Sequence, residues 1–465
     1  MFPTVEYASR LSHFDPKSDY HDFRGFFVLF WIALAIMVIT AMLRNYKETG
    51  SPLVISQWGL FTQNIWELGP SDLIMTATTY LCLPLHKLYA GGGGIFRWNK
   101  GGIILQSLFQ LAWLTLWVSW PFIWDWSWTA QVFFTMHTLV LFMKIHSYAF
   151  YMGHLSETRR RLQELDRPEG KSRGPVHHYP SSNGIKDDVR MASPTTLRTN
   201  SGELTTLRED LAVELTSPIG GITYPANFTY LNFTDFLFCP TLCYEIEYPR
   251  AESINAAELF YKTLAVFGCI FLLTITSEHF IIPVLAESNA QFHAASASHA
   301  DRALILAETI SRLLFPFMTS FLLVFLAIFE YALGFFAELT RFADRRFYAD
   351  WWNSCDWLAF SRAWNVPVHH FLQRHVYSAS RGVRFSRAAA TAFTFFVSAL
   401  AHELLMGCIT KKVRGYGFFA MMLQIPIVVV QRSRWVKGRT LLNNVLFWCS
   451  MILGLSMMCS LYVLV

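Results

Sequence analysis

Long apolar stretches recur along the chain, separated by short polar connectors. The first runs from Phe26 to Leu43; others fall near 71–88, 103–124, 128–152, 259–285, 304–335, 388–410, 416–431 and 441–464. A bilayer core takes about 20 apolar residues of helix, and lipid admits only helices or closed barrels because every backbone polar group must be satisfied. The pattern therefore predicts an all-α polytopic membrane protein with about nine transmembrane helices. No internal repeat stands out, so a transporter built on inverted repeats gains no support.

The polar interruptions divide the chain. "GGGG" at 91–94 reads as a flexible connector. Residues 155–225 are rich in Arg, Glu, Ser, Thr, Pro and Gly, the make-up of a polar loop with disorder in it. Arg159, Arg160 and Arg161 directly follow a span, which favours the cytosolic side. "NFT" occurs at Asn227 and Asn232; on a cytosolic loop neither acquires a glycan. The segment 347–377, "FYADWWNSCDWLAFSRAWNVPVHHFLQRHVY", mixes aromatic and charged residues. It predicts one or two helices at the membrane interface, with Pro367 as a break. Four regions result: a cytosolic N-terminal segment (1–25), N-terminal spans (26–154), a polar cytosolic loop (155–235) and a catalytic core (236–465) that includes the interfacial segment.

Composition supports this reading. Of 465 residues 53% are hydrophobic and only 15% charged, where a soluble domain carries about 25%. The net charge of +5 is what loop bias supplies in a membrane protein, and no nucleic-acid partner is expected. Cys239 and Cys243 lack the second pair that a zinc site needs, so no metal is expected. The polar, acidic lead-in "HFDPKSDYHDFRG" does not fit a cleavable signal peptide.

Candidate chemistry sits in "AAATAFTFFVSALAHELLMGCI", Ala388–Ile409, a span-length helix holding His402 and Glu403. An ionisable group inside the membrane is costly and points to function, although a histidine satisfied by a neighbouring helix is the plain alternative. "HELLM" has Met406 where a zinc protease helix has its second histidine. A neutral imidazole can instead take the proton of an attacking alcohol. Ser398, four residues earlier, shares its helix face and reads as a lining residue rather than a nucleophile. "RAWNVPVHH" adds Arg362, Trp364, Asn365 and His369. An amide or indole N–H can stabilise an oxyanion, and Arg362 and Arg387 can pair with phosphates. An interfacial aromatic belt with snorkelling arginines accounts for the same residues without chemistry.

"FYADWWNS" (347–354) resembles the FYxDWWN signature of the sterol and diacylglycerol branch of the membrane-bound O-acyltransferases. "MKIHSY" (143–148), "PTLCYEIEYPR" (240–250), "WNVPVHHFLQRHVY" and "SALAHE" match further family motifs in the family's order. The resemblance extends from about Leu11 to the C-terminus, and "RLSHFDP", "PTLCYEIEYPR" and "NNVLFW" look most like fungal sterol O-acyltransferases. It implies a helical bundle of that family in the endoplasmic reticulum membrane, working as a homodimer or homotetramer. Long-chain acyl-CoA would be a co-substrate, a membrane sterol the acceptor, and no cofactor would be needed. His402 would be the catalytic base, with Trp364 and Asn365 near the thioester. Arg362, His369, Tyr377, Arg387 and Ser398 match acyl-CoA contacts, Arg387 with a gap in the spacing. Phe347, Tyr348, Asp350, Trp351, Trp352 and Asn353 would shape the CoA entrance. "MKIHSY" carries no assigned role, and Glu403 is expected to orient either another helix or the imidazole. Diacylglycerol as acceptor is the nearest rival; a lipid transporter with His402 as a proton relay, or a scaffold, belongs to other classes. In this count the loop of Lys411, Lys412 and Arg414 falls on the lumenal side, against charge bias.

Overall fold

The computed structural model describes residues 2–15, 18, 20, 24–52, 58–166, 200–294, 298–434, 436 and 438–465. Residues 167–199 of the polar loop, "RPEGKSRGPVHHYPSSNGIKDDVR" included, lie outside them, and the described remainder of 155–235 carries the end of a long helix and the helices Asn200–Glu214 and Tyr230–Phe238. Among the described residues the elements are helical, and extended pairing is limited to isolated bridges. Six helices are long and apolar enough to cross a bilayer: Gly25–Thr49, Trp98–Ile123, Ala256–Phe292, His299–Leu339, Arg387–Thr410 and Thr440–Leu464. The chain is thus a multi-pass membrane protein.

The helices used below are α1 (Arg24–Thr49), α2 (Ile65–Thr79), α3 (Cys82–Gly91), α4 (Ile103–Ile123), α5 (Trp128–Leu165), α6 (Ala256–Phe292) and α7 (His299–Leu339). They continue with α8 (Trp357–Ala363), α9 (Val366–Phe371), α10 (Arg387–Thr410), α11 (Tyr416–Gln431) and α12 (Thr440–Leu464). Three of the nine expected spans differ from the simple reading. The stretch 71–88 is two helices, broken at Tyr80–Leu81. Pro84 explains the break: its ring excludes the carbonyl four residues back, yet it is tolerated in the first turn of α3. The stretch 128–152 lies within the 38-residue α5, which buries Gln131, Thr135, Thr138, Lys144 and Ser147 and so packs inside the protein. The third, α11, has 16 residues, less than a full crossing.

Three sequence motifs meet in one polar knot. Lys144 on α5 donates to the carbonyls of Phe236, Cys239 and Thr241, each at 2.8 Å. Ser147 Oγ accepts the Tyr244 N–H at 2.8 Å and lies 3.0 Å from His375 Nε2. The His146 ring sits 4.9 Å from the His375 ring, and its Nδ1 is 3.0 Å from Gln110 Oε1. Arg374 is buried; it reaches Glu245 Oε1 at 2.9 Å and the Tyr244 carbonyl at 3.0 Å. "MKIHSY", left without a role by sequence, is the seat on which "PTLCYEIEYPR" and "FLQRHVY" rest. Asn227 and Asn232 belong to the same packing, both bonded to the Tyr244 hydroxyl, so folding uses both sequon side chains.

The N-terminal segment straps these parts together. The Val5 N–H donates to Glu245 at 2.9 Å, Arg10 pairs with Asp344, and Ser12 bonds Glu330 at 2.5 Å and the Tyr348 hydroxyl at 3.0 Å. Contacts across more than three hundred positions of sequence thus hold residues 8–12 against the "FYADWW" segment.

Candidate active site

The "FYADWW" and "WN" motifs form one unit through their backbones. Ala349 N–H donates to the Ala363 carbonyl at 2.8 Å, and Val366 N–H to the Phe347 carbonyl at 3.0 Å. Trp351, 1% exposed, packs 5.0 Å from the Trp364 ring; Phe321 of α7 stacks on Trp364 at 4.5 Å. Tyr348 donates to Glu330 at 2.8 Å, Phe347 is buried against Phe342, and the Trp352 carbonyl accepts from Asn444 and Trp448 of α12. Asp350 and Asn353 face outward. Most of the motif is therefore a brace for residues 363–366, and only its exposed members can shape an entrance.

Asn365 starts α9. Its Oδ1 accepts the Val368 N–H at 3.1 Å, a regular N-cap, and Pro367 occupies the first turn, where it needs no donor. The expected break is therefore at 364–365, before Pro367. With Oδ1 engaged, the amide NH₂ has no hydrogen-bond partner among the described residues and is left to donate elsewhere. The helical path continues through a widened turn, Leu372–Tyr377, into Ser378–Gly382.

His402 lies on α10, which packs against Leu372–Tyr377, Ser378–Gly382, α5 and α11. Its Nδ1 is 2.8 Å from the Ser398 carbonyl. A carbonyl only accepts, so Nδ1 carries a proton, and in the neutral ring Nε2 keeps its lone pair. The side chain is exposed, not wedged among packed neighbours. Glu403, the next residue, is buried and takes the N–H groups of Gly415 at 2.7 Å and Phe418 at 3.0 Å. Of the two roles considered for it, the structure gives it the tie to another helix.

The remaining candidates divide by exposure. Arg362 and Arg387 are exposed, and no hydrogen bond or ion pair among the described residues engages either guanidinium. Arg387 opens α10, where a cation opposes the helix dipole. Tyr377 and Ser398 are half-buried on packed elements. Burial pushes His369 down to about 4, with His370 and Arg362 adding to the effect, so its ring is neutral near pH 7. A small pocket lined by Tyr7, Asp344, Phe347, Val366, Pro367 and His370 opens under the N-terminal strap, and His402 is not among its lining residues. The Arg374–Glu245 pair was missed by sequence reasoning. Burial is the largest influence and works against the Arg374 charge, but the Glu245 carboxylate with Cys243, Tyr151 and Tyr7 together outweighs it and keeps the guanidinium protonated. Its signal is present in the sequence: Arg374 is one of the charges set among the aromatic residues of 347–377.

Comparison with known proteins accords with this geometry. Residues 103–464 match the MBOAT, membrane-bound O-acyltransferase family. The chain belongs to this family. It is 41% identical to "Probable sterol O-acyltransferase 2" of Schizosaccharomyces pombe, over 95% of this chain and 87% of that one. It is 34% identical to "Sterol O-acyltransferase 2" of Saccharomyces cerevisiae, over 95% of this chain and 66% of the relative. "Diacylglycerol O-acyltransferase 1" of Dictyostelium discoideum is 31% identical, over only 53% of this chain.

Proposed function

We propose that this chain is an acyl-CoA-dependent sterol O-acyltransferase that converts a membrane sterol and a long-chain acyl-CoA into steryl ester and CoA. The observation that carries the reaction is His402: an exposed imidazole on a span-length helix, with Nδ1 tied to the Ser398 carbonyl and Nε2 open. The sterol preference rests on relatives named for that activity that align over nearly the whole chain, against a diacylglycerol relative aligned over about half.

His402 Nε2 takes the proton of the sterol 3-hydroxyl as its oxygen attacks the thioester carbonyl. The Asn365 amide donates to the oxyanion, with Trp364 alongside. Collapse breaks the C–S bond, and CoA leaves as thiol with the proton that Nε2 held. No acyl-enzyme forms, and no cofactor is needed. Arg362 and Arg387 meet the CoA phosphates, while His369, Tyr377 and Ser398 line the path of the thioester arm. Asp350, Trp352 and Asn353 form the rim of the entrance, held by Phe347, Tyr348 and Trp351. The α2–α3 pair, α5 and α11 complete a membrane bundle of about nine crossings. We place the enzyme in the endoplasmic reticulum membrane, as a homodimer or homotetramer.

A sterol stays in the bilayer, which is why the base is carried there on a helix despite its cost. The test is to give purified protein oleoyl-CoA with either a sterol or diacylglycerol and to follow ester and free thiol. Steryl ester formed with equal CoA release is the expected result. Triacylglycerol alone would overturn the sterol assignment, and no thiol release with either acceptor would overturn the acyl-transfer reading.

A further inference from the structure

His402 is restrained only by its own helix: among the described residues no hydrogen bond ties its side chain to another element. Its direction must therefore come from the rotation of α10 about its axis. Glu403 is the residue that fixes this rotation, and the last turn of the chain fixes Glu403.

Glu403 uses both carboxylate oxygens. Oε1 takes the Gly415 N–H, and Oε2 takes the Phe418 N–H and the Tyr462 hydroxyl, the latter at 3.0 Å. The same hydroxyl accepts the Gly417 N–H at 3.2 Å, and the Tyr416 ring stands edge-on to the Tyr462 ring at 5.2 Å. Three N–H groups at the start of α11, which a helix leaves without internal partners, are thereby closed. The connecting chain is shaped around the carboxylate. Gly415 has φ +80°, and a Cβ at Gly417 would sit 3.1 Å from Glu403 Oε2 and 3.4 Å from Met406 Cγ. Tyr462 is 3% exposed, so the hydroxyl has no water to replace Glu403.

Successive helix residues point about 100° apart, so anchoring Glu403 sets the heading of the His402 imidazole. Apolar packing alone tolerates slip; a carboxylate held by three donors from two helices does not. We propose that Tyr462 is a positioning residue for the reaction: through Glu403 it locks α10 against α11 and α12, so that His402 Nε2 meets the acceptor hydroxyl. This rests on His402 being the base.

The test uses the full chain in lipid nanodiscs with oleoyl-CoA and sterol. Tyr462→Phe, which removes one oxygen, should lower kcat about tenfold while KM for oleoyl-CoA stays within about twofold, with only a modest drop in melting temperature from the lost buried hydrogen bonds. Gly417→Ala, pressing on the same carboxylate from α11, should reproduce this split, which keeps the proposal testable should Tyr462→Phe fold poorly. In a His402→Ala background Tyr462→Phe should cost nothing further. Wild-type kcat in Tyr462→Phe, or joint loss of kcat, CoA binding and stability in both variants, would overturn the proposal. Full turnover in His402→Ala would remove the base reading beneath it. A slow His402→Ala beside a fast Tyr462→Phe would remove the positioning role alone.

Discussion

In the proposed reaction single residues carry two jobs, and substitutions can separate them. Asn365 caps α9 through Oδ1, and in that reaction its NH₂ donates to the oxyanion. Asn365→Asp keeps the capping oxygen and loses the donor, so turnover should fall roughly 100- to 1,000-fold with unfolding nearly unchanged. Asn365→Ala loses both and should cost about 1 kcal/mol of stability in addition. Paired turnover and unfolding measurements check this. His369 offers a pH test. Burial holds its folded-state value near 4, below the ordinary histidine value. In the unfolded chain it takes a proton as pH falls through about 6.5, whereas the folded chain resists until about 4. Stability should therefore decline as pH falls across that window, by roughly 2 kcal/mol at pH 5 from this group. His369→Gln should flatten that part of the melting profile; an unaltered profile would contradict the burial argument.

Among the elements, what could be read from sequence depended on how local the cause was. The span pattern anticipated α1, α4, α6, α7, α10 and α12 because an apolar run of that length has few other fates in lipid. The break at Tyr80–Leu81 was legible too, in Pro84, but hydropathy averages over such a signal. The destination of Lys144 was not legible, since its acceptors are backbone carbonyls more than ninety positions away. Nor was the Glu245–Arg374 pair, whose partners only the fold brings together. That pair joins the upstream motif to the segment that carries Asn365. Glu245→Ala leaves a buried guanidinium unpaired and should destabilise the protein by about 3–5 kcal/mol, read as a large drop in melting temperature in detergent. A loss no greater than that of a surface substitution would show that the knot does not support the site.

At the scale of the whole molecule, the motifs that sequence set in order prove to be parts of one support. "MKIHSY" seats the 240–250 loop, that loop holds Arg374, "FYADWW" braces residues 363–366, and the N-terminal strap crosses all of them. Sequence motifs alone named His402 and Asn365 as candidates; the contacts by which distant segments hold residues 363–366 were visible only in the fold. The proposed reaction needs the His402 imidazole to meet a membrane alcohol. The most direct measurement is turnover of purified His402→Ala with oleoyl-CoA and sterol, beside its melting temperature and oleoyl-CoA binding. The expected result is a loss of at least about 100-fold with folding and binding intact. More than about a tenth of wild-type turnover would contradict the assignment, since a general base contributes at least about 100-fold.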